Sequence, residues 1–158
     1  MTGLFDSYQR PINYLRVSVT DRCNLRCIYC MPPEGIKLLS HQDILSFEEI
    51  VALVEAAVSL GITNIRLTGG EPLVRPGFID LVGMIAQVPG VNDLSLTTNG
   101  LLLARQAQAL KAAGLSRANI SLDTLRPDRF RQITRFGRLE DVLEGIAAAR
   151  EAGLEPVK

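Results

Sequence analysis

Three cysteines, Cys23, Cys27 and Cys30, fall within eight residues of the stretch TDRCNLRCIYCMPPEG (Thr20–Gly35), at the spacing C-x3-C-x2-C, and the chain holds no others. Thiols packed this closely, and odd in number, point to metal ligation or redox chemistry and not to a secreted disulfide framework. A redox dithiol uses two cysteines and leaves the third without a role. Three thiolates can hold three irons of a [4Fe-4S] cluster and leave the fourth iron open, as catalytic zinc sites keep one position for water or substrate. The alternative is zinc, with His41 completing C-x3-C-x2-C-x10-H, although the familiar short-spaced zinc patterns differ. His41 also reads as an exposed loop histidine. Tyr29, between two of the cysteines, either shields the site from solvent or touches its ligand. Arg22 and Arg26 read as solvated flanks.

Three further segments could contribute to the same chemistry. In Gly69-Gly70-Glu71-Pro72, adjacent glycines let backbone approach a ligand closely, and the carboxylate could bind an amine. Thr97-Thr98-Asn99-Gly100 and Ser121-Leu122-Asp123-Thr124 could be site loops or only caps and turns.

Each of these segments follows a strand pattern. The predicted strands are Leu15–Val19, Asn64–Thr68, Asp93–Thr97 and Ala118–Leu122, with Leu154–Lys158 opening a fifth. Helical spacing predicts helices from Phe47 to Val58, from Pro76 to about Val88, over Leu101–Ala113 and over Leu139–Ala152. Ser46-Phe-Glu-Glu49 is a capping box, and Gly61, Gly114 and Gly153 are helix stops. The run DRFRQITRFGR (Asp128–Arg138) reads as a short helix and turn anchoring Phe130 and Phe136 in the core. Alternating strands and helices imply right-handed βαβ units and a parallel sheet, whose ligands sit at the C-terminal ends of the strands. The strands alternate in polarity, although parallel strands covered on both faces usually read as unbroken apolar runs. One face is therefore polar: in a barrel it is a lumen lined by Arg16, Arg66, Thr97, Ser121 and Lys158, suited to an anionic ligand. In an open sheet it faces water.

Composition sets the outer limits. The 158 residues suffice for one domain with a core, and 17 basic residues balance 17 acidic ones, so no broad nucleic-acid surface is expected. No basic-then-apolar leader and no membrane-length apolar run is present, and a cytoplasmic protein is expected.

CNLRCIYC resembles the C-x3-C-x2-C signature of the radical S-adenosylmethionine (SAM) enzymes. The adjoining LRVSVTDRCNLRCIYCMP, IRLTGGEPLVRPG, LSLTTNGLLL, ISLDTLRPDRF and AAREAGLEPVK resemble, within that superfamily, the GTP 3′,8-cyclases, from about Tyr14 to Lys158. The resemblance implies an α/β fold: a parallel (β/α) partial TIM-type barrel of the radical SAM kind, truncated to about four βα units plus the start of a fifth strand. Residues 1–158 would be the N-terminal portion of a single radical SAM core domain, the C-terminal part with a second [4Fe-4S] cluster being absent. It further implies that Cys23, Cys27 and Cys30 hold a cluster whose open iron takes SAM. Tyr29, Gly70 and Ser121 would contact SAM, and Arg16, Arg66, Thr97 and Lys158 would contact GTP. The radical made from SAM would take the GTP 3′ hydrogen and lead to 3′,8-cyclo-7,8-dihydro-GTP, the first step of molybdenum cofactor (molybdopterin) biosynthesis. Implied partners are an electron donor, the cyclic pyranopterin monophosphate synthase acting next and, at full length, a second copy in a homodimer, with neither nucleic acid nor membrane. Another radical SAM enzyme, acting on a peptide, and a non-catalytic zinc module remain as alternatives.

Overall fold

The computed structural model describes residues 3–158, His41 by its backbone alone, so zinc ligation through the His41 imidazole falls outside the described residues. A short antiparallel hairpin opens the chain, β1 (Leu4–Phe5) with β2 (Pro11–Ile12). Its two-residue strands are too brief to show period-two alternation, and the sequence did not suggest them. Asp6 closes the hairpin by accepting from the Tyr8 and Arg10 amides and the Arg10 guanidinium.

The rest follows the βα alternation. β3 (Tyr14–Ser18), β4 (Asn64–Thr68), β5 (Asp93–Thr98) and β6 (Arg117–Ile120) form one parallel sheet in sequence order. The helices are α1 (Phe47–Ser59), α2 (Phe78–Ala86), α3 (Leu103–Ala112), α4 (Pro127–Thr134) and α5 (Leu139–Glu151). α1 begins at the expected capping box: Ser46 accepts from the Glu49 amide at 3.2 Å, and Glu49 accepts from the Ser46 amide at 2.7 Å. Three of the helices stop at the expected glycines, Gly61, Gly114 and Gly153, with φ of 93°, 107° and 74°, a region that suits glycine. α2 starts at Phe78 and not at Pro76, because Pro72–Val74 takes a separate 3-10 turn and Gly77, at φ 73°, makes the corner.

The apolar strand face is buried as expected. Val17, Ile65, Leu67, Leu94, Leu96 and Ala118 pack under Ile50 and Val54 of α1, Leu81 and Ile85 of α2, and Leu103 and Leu110 of α3. A second cluster, Phe130, Leu139 and Val142, joins α4 to α5. Phe130 is thus a core residue, but Phe136 is 67% exposed, which corrects the expectation for it. α4 ends at Thr134, so Phe136 is no longer on the helical stripe that points Phe130 inward.

The fifth strand is present only as one residue. Lys158 donates its amide to Ala118 and accepts from the Ile120 amide, the pairing of a parallel neighbour opposite Asn119. Leu154 is buried among the helices instead. Among the described residues, no helix is long and apolar enough to cross a membrane.

Candidate functional site

Parallel register orders the polar face in tiers. Arg16, Arg66, Ser95 and Arg117 are cross-strand partners in one tier. One step nearer the C-terminal ends, Ser18 pairs with Thr68 and Thr97 pairs with Asn119, and Lys158 joins opposite Asn119. Above them the chain leaves the sheet at Thr20, Gly70, Asn99 and Ser121, where one cleft is lined by Cys23, Cys27, Cys30, Tyr29, Gly70, Thr97, Asn99, Ser121 and Asp123. Folding therefore brings the three cysteines, Tyr29, Gly70, Ser121 and Thr97 to one cavity. Arg16, Arg66 and Lys158 are outside its lining: Arg16 and Arg66 lie one tier further from the strand ends, and Lys158 shares the tier of Thr97 and Asn119.

The tier of basic residues is partly engaged already. Arg66 stacks over the Tyr14 ring at 5.2 Å and donates to Ser95 Oγ at 3.3 Å. With the Asn119 carboxamide turned so that its oxygen faces the guanidinium, Arg66 also reaches it at 3.0 and 3.2 Å. Arg117, which precedes the predicted fourth strand and so was missed, holds Asp93 bidentately at 3.1 and 2.6 Å. Arg16 and Lys158 are exposed.

Gly69 and Gly70 are each required by the packing of neighbouring backbone. Their close approach is to the chain itself. A Cβ on Gly69 would sit 2.5 Å from the Thr20 carbonyl, and one on Gly70 would sit 2.3 Å from the Arg22 carbonyl. The amides of Gly70 and Glu71 donate to Thr20 and Arg22 at 2.8 Å each, seating the glycine loop against the segment that enters the cysteines. Glu71 does not offer a carboxylate to an amine. It is 1% exposed and accepts from the Leu73 amide, the Thr98 hydroxyl and the Asn99 amide at 3.0, 2.8 and 2.7 Å. Burial pushes its carboxyl above the ordinary range, and those three donors act against the shift. Glu71 thereby ties the loop after β4 to the loop after β5.

The cysteine loop is held from several sides. Asn99 Nδ2 donates to Asn24 Oδ1 at 2.8 Å and lies 3.9 Å from Cys23 Sγ, while Asn99 Oδ1 accepts from the Leu101 amide. The Tyr29 hydroxyl donates to Asp123 at 2.9 Å, linking the loop to the segment after β6. Arg26 is not a solvated flank: it donates to the Cys23 and Leu25 carbonyls at 2.7 and 2.8 Å. The end of α4 completes the clamp. The Arg26 and Ile28 amides donate to the Thr134 and Ile133 carbonyls, and the Arg135 guanidinium bridges the Arg26 and Met31 carbonyls at 2.5 and 3.0 Å. Arg135 has φ 68°, an uncommon conformation for a non-glycine residue. The sequence carries no signal for this role, since a basic helix end ordinarily faces water. Arg135→Ala should raise the rate at which the loaded protein loses iron to a chelator about tenfold. Thermal denaturation of the iron-free chain should shift down as well, because alanine keeps the Cβ that disfavours the positive φ while the hydrogen bonds are lost.

The thiols suit a polynuclear metal group. Cys23 and Cys27 are half-buried, and burial pushes both thiols above their usual range. Thiolates in such a place need a metal's positive charge. Among the described residues, no three metal-binding side chains converge on a point a single ion could fill. Three cysteines bordering one cleft are a donor set that would suit a cluster.

Comparison with known proteins agrees with this geometry. The sequence model of the Radical SAM superfamily matches residues 17–158. The chain is 60% identical over 153 residues to the GTP 3′,8-cyclase of Pelotomaculum thermopropionicum and 59% identical over 155 residues to that of Heliobacterium modesticaldum, covering 97% and 98% of this chain and 47% of each relative. It spans about half the length of the curated relatives it matches. In fold it is similar to the FeFe-hydrogenase maturase HydG from Carboxydothermus hydrogenoformans, with a TM-score of 0.71 and 18% identity over 91% of this chain and 34% of that one. It is also similar to methylornithine synthase, with a TM-score of 0.73 and 17% identity over 91% of this chain and 42% of that one. A cysteine triplet at C-x3-C-x2-C, carried at the C-terminal ends of sequentially ordered parallel strands and matched by the family model over most of its length, belongs to a member of the Radical SAM superfamily.

Proposed function

We propose that this chain is the cluster- and SAM-binding half of a GTP 3′,8-cyclase acting at the start of molybdenum cofactor synthesis. The observation that carries the reading is the 60% identity, across nearly the whole chain, to a relative of that name. In this reading Cys23, Cys27 and Cys30 hold a [4Fe-4S] cluster with one iron open. Bound there, the cluster would supply the electron that cleaves SAM into methionine and the radical that takes the GTP 3′ hydrogen.

The chain's own residues have distinct tasks. Tyr29, Gly70 and Ser121 border the cleft at the level of the cysteines, where SAM would lie. Arg16 and Arg66, with Thr97 and Lys158 one tier above, offer cations and a hydroxyl below it, where GTP would extend its charged end. This stacking would set the ribose between the SAM level and the basic tier. A peptide substrate would not by itself explain the adjacent Arg16 and Arg66 on one face. The Arg66 contacts to Ser95 and Asn119 fix its guanidinium in advance, which lowers the entropy lost on binding phosphate.

The test uses the full-length protein, loaded with iron under anaerobic conditions and given SAM and GTP deuterated at the 3′ position. Deuterium should appear in 5′-deoxyadenosine. Arg16→Ala should weaken GTP binding about tenfold while leaving SAM binding intact. Deuterium-free 5′-deoxyadenosine from an otherwise active protein would reject GTP as the substrate.

A further inference from the structure

The polar face of the sheet carries its charge in layers. Its four parallel strands hold four charged residues, Arg16, Arg66, Arg117 and Asp93. The three arginines share one tier, and Asp93 shares the tier below with Tyr14 and Asn64, nearer the N-terminal ends of the strands. Successive tiers are two residues apart, about 6.6 Å along a parallel strand. Two arginines of the one tier, on either side of Ser95, reach in different directions. Arg66 meets the Asn119 carboxamide in the tier above, oriented as described for the site. Arg117 reaches down to Asp93 and holds both of its oxygens, at 3.1 and 2.6 Å. The side chains of this pair are only 18% and 22% exposed, so salt screens it weakly. From the cysteines downward, the face thus passes from thiols through cations to a carboxylate whose charge Arg117 balances.

We infer that the Asp93–Arg117 pair is the floor of the nucleotide site, and that Asp93 is a specificity-determining residue for the length of the phosphate chain. The inference rests on the reading of GTP as the substrate. A triphosphate lowered past Lys158 to Arg16 and Arg66 brings its last phosphate closest to this pair. Together, Asp93 and Arg117 meet that phosphate with no net charge. Asp93 withholds Arg117 from the phosphates, and Arg117 offsets a carboxylate that would repel them. A shorter chain ends above the pair and does not sense it. The two partners of one ion pair therefore act on the nucleotide with opposite sign. A purely structural ion pair has no such property, because removing either partner breaks the same contact.

Binding of GTP, GDP and GMP is measured by equilibrium dialysis on the iron-loaded full-length protein, with SAM present and no reductant, so that nothing turns over. Asp93→Asn keeps the shape of the side chain and frees Arg117, and should bind GTP about fivefold more tightly. Arg117→Gln leaves Asp93 uncompensated, and should bind GTP about tenfold more weakly. GMP should bind both variants within about twofold of the wild type, and both GTP effects should shrink as salt is raised. GTP shifts in the same direction in the two variants overturn the inference and leave the pair as a clasp between β5 and β6. A GMP shift as large as the GTP shift overturns it too. A wild type that binds none of the three nucleotides rejects the GTP reading itself, and the inference falls with it. If Arg117→Gln does not fold by circular dichroism, Arg117→Lys replaces it. Lysine keeps the charge that offsets Asp93 and loses the bidentate fork, so GTP binding within about twofold of the wild type is expected, and a tenfold loss overturns the inference.

Discussion

Glu71→Ala is expected to remove about 4 kcal/mol of folding stability, read as a lower urea midpoint for the iron-free chain. Truncation strands three donors at once, the Leu73 amide, the Asn99 amide and the Thr98 hydroxyl, in a place where Glu71 is 1% exposed. Each stranded donor costs on the order of 1–3 kcal/mol, and water entering the vacated space returns part of the sum. A domain of this size is stable by roughly 5–15 kcal/mol, so the variant would be marginal. Glu71→Gln should cost about half as much, because one oxygen is retained and the new amide group meets the Asn99 amide donor to donor. The pH dependence has a definite sign. Burial raises the folded-state pKa of Glu71 above its ordinary value of 4.5, so the folded chain holds that proton more tightly than the unfolded one. The stability contributed by this linkage is complete below the unfolded value and is lost as pH rises through the folded one. The advantage of the wild type over Glu71→Gln should therefore narrow as pH is raised above about 4.5. An advantage that widens over that range would contradict the assignment.

Cys→Ala at any one of positions 23, 27 and 30 should abolish retention of iron after desalting and, with it, reductive cleavage of SAM. If the three cysteines serve four irons as proposed, losing one would leave two irons without a protein thiolate, and these 158 residues hold no fourth cysteine to substitute. Fold stability is expected to respond differently by position. Cys23 lies beside Leu25 and Asn99 and accepts from the Leu25 amide, whereas Cys30 is exposed. Cys30→Ala should therefore leave the melting temperature of the iron-free chain unchanged, and Cys23→Ala should lower it slightly. Iron-to-protein ratios, the visible spectrum and the yield of 5′-deoxyadenosine are the measurements. A zinc-loaded, iron-free protein with bound metal surviving Cys27→Ala would support a different centre.

Both expectations depend on positions that could be read without coordinates to unequal degrees. The cysteine spacing, the capping box at Ser46 and the glycine stops at 61, 114 and 153 are local signals, each set by residues a few positions apart. Strand alternation is local as well: it separated Arg16, Arg66 and Thr97 from Leu15, Ile65 and Leu96, and register then kept the first group on one face. Contacts across the sequence were not legible. A buried carboxylate joining two loops and a ligand carboxylate at a strand end look alike in GGEP. An arginine at a helix end looks solvated until that end meets the carbonyls of a loop more than 100 residues earlier, as Arg135 does. Phe136 was misplaced because the stripe that carries Phe130 stops at Thr134, and nothing near it in the sequence marks that end.

The sequence by itself determined the chemistry available, three thiols without a fourth, and the alternation of strands and helices that delivers several loops to one rim. Tertiary structure alone decided how that rim is held: Glu71 turned inward to tie two loops, the glycine pair seated against residues 20–22, and the α4 end clamped on the cysteine loop. The physical reason is range. Turn, cap and periodicity preferences act over a few residues, whereas burial and the pairing of polar groups depend on which distant segments share one space.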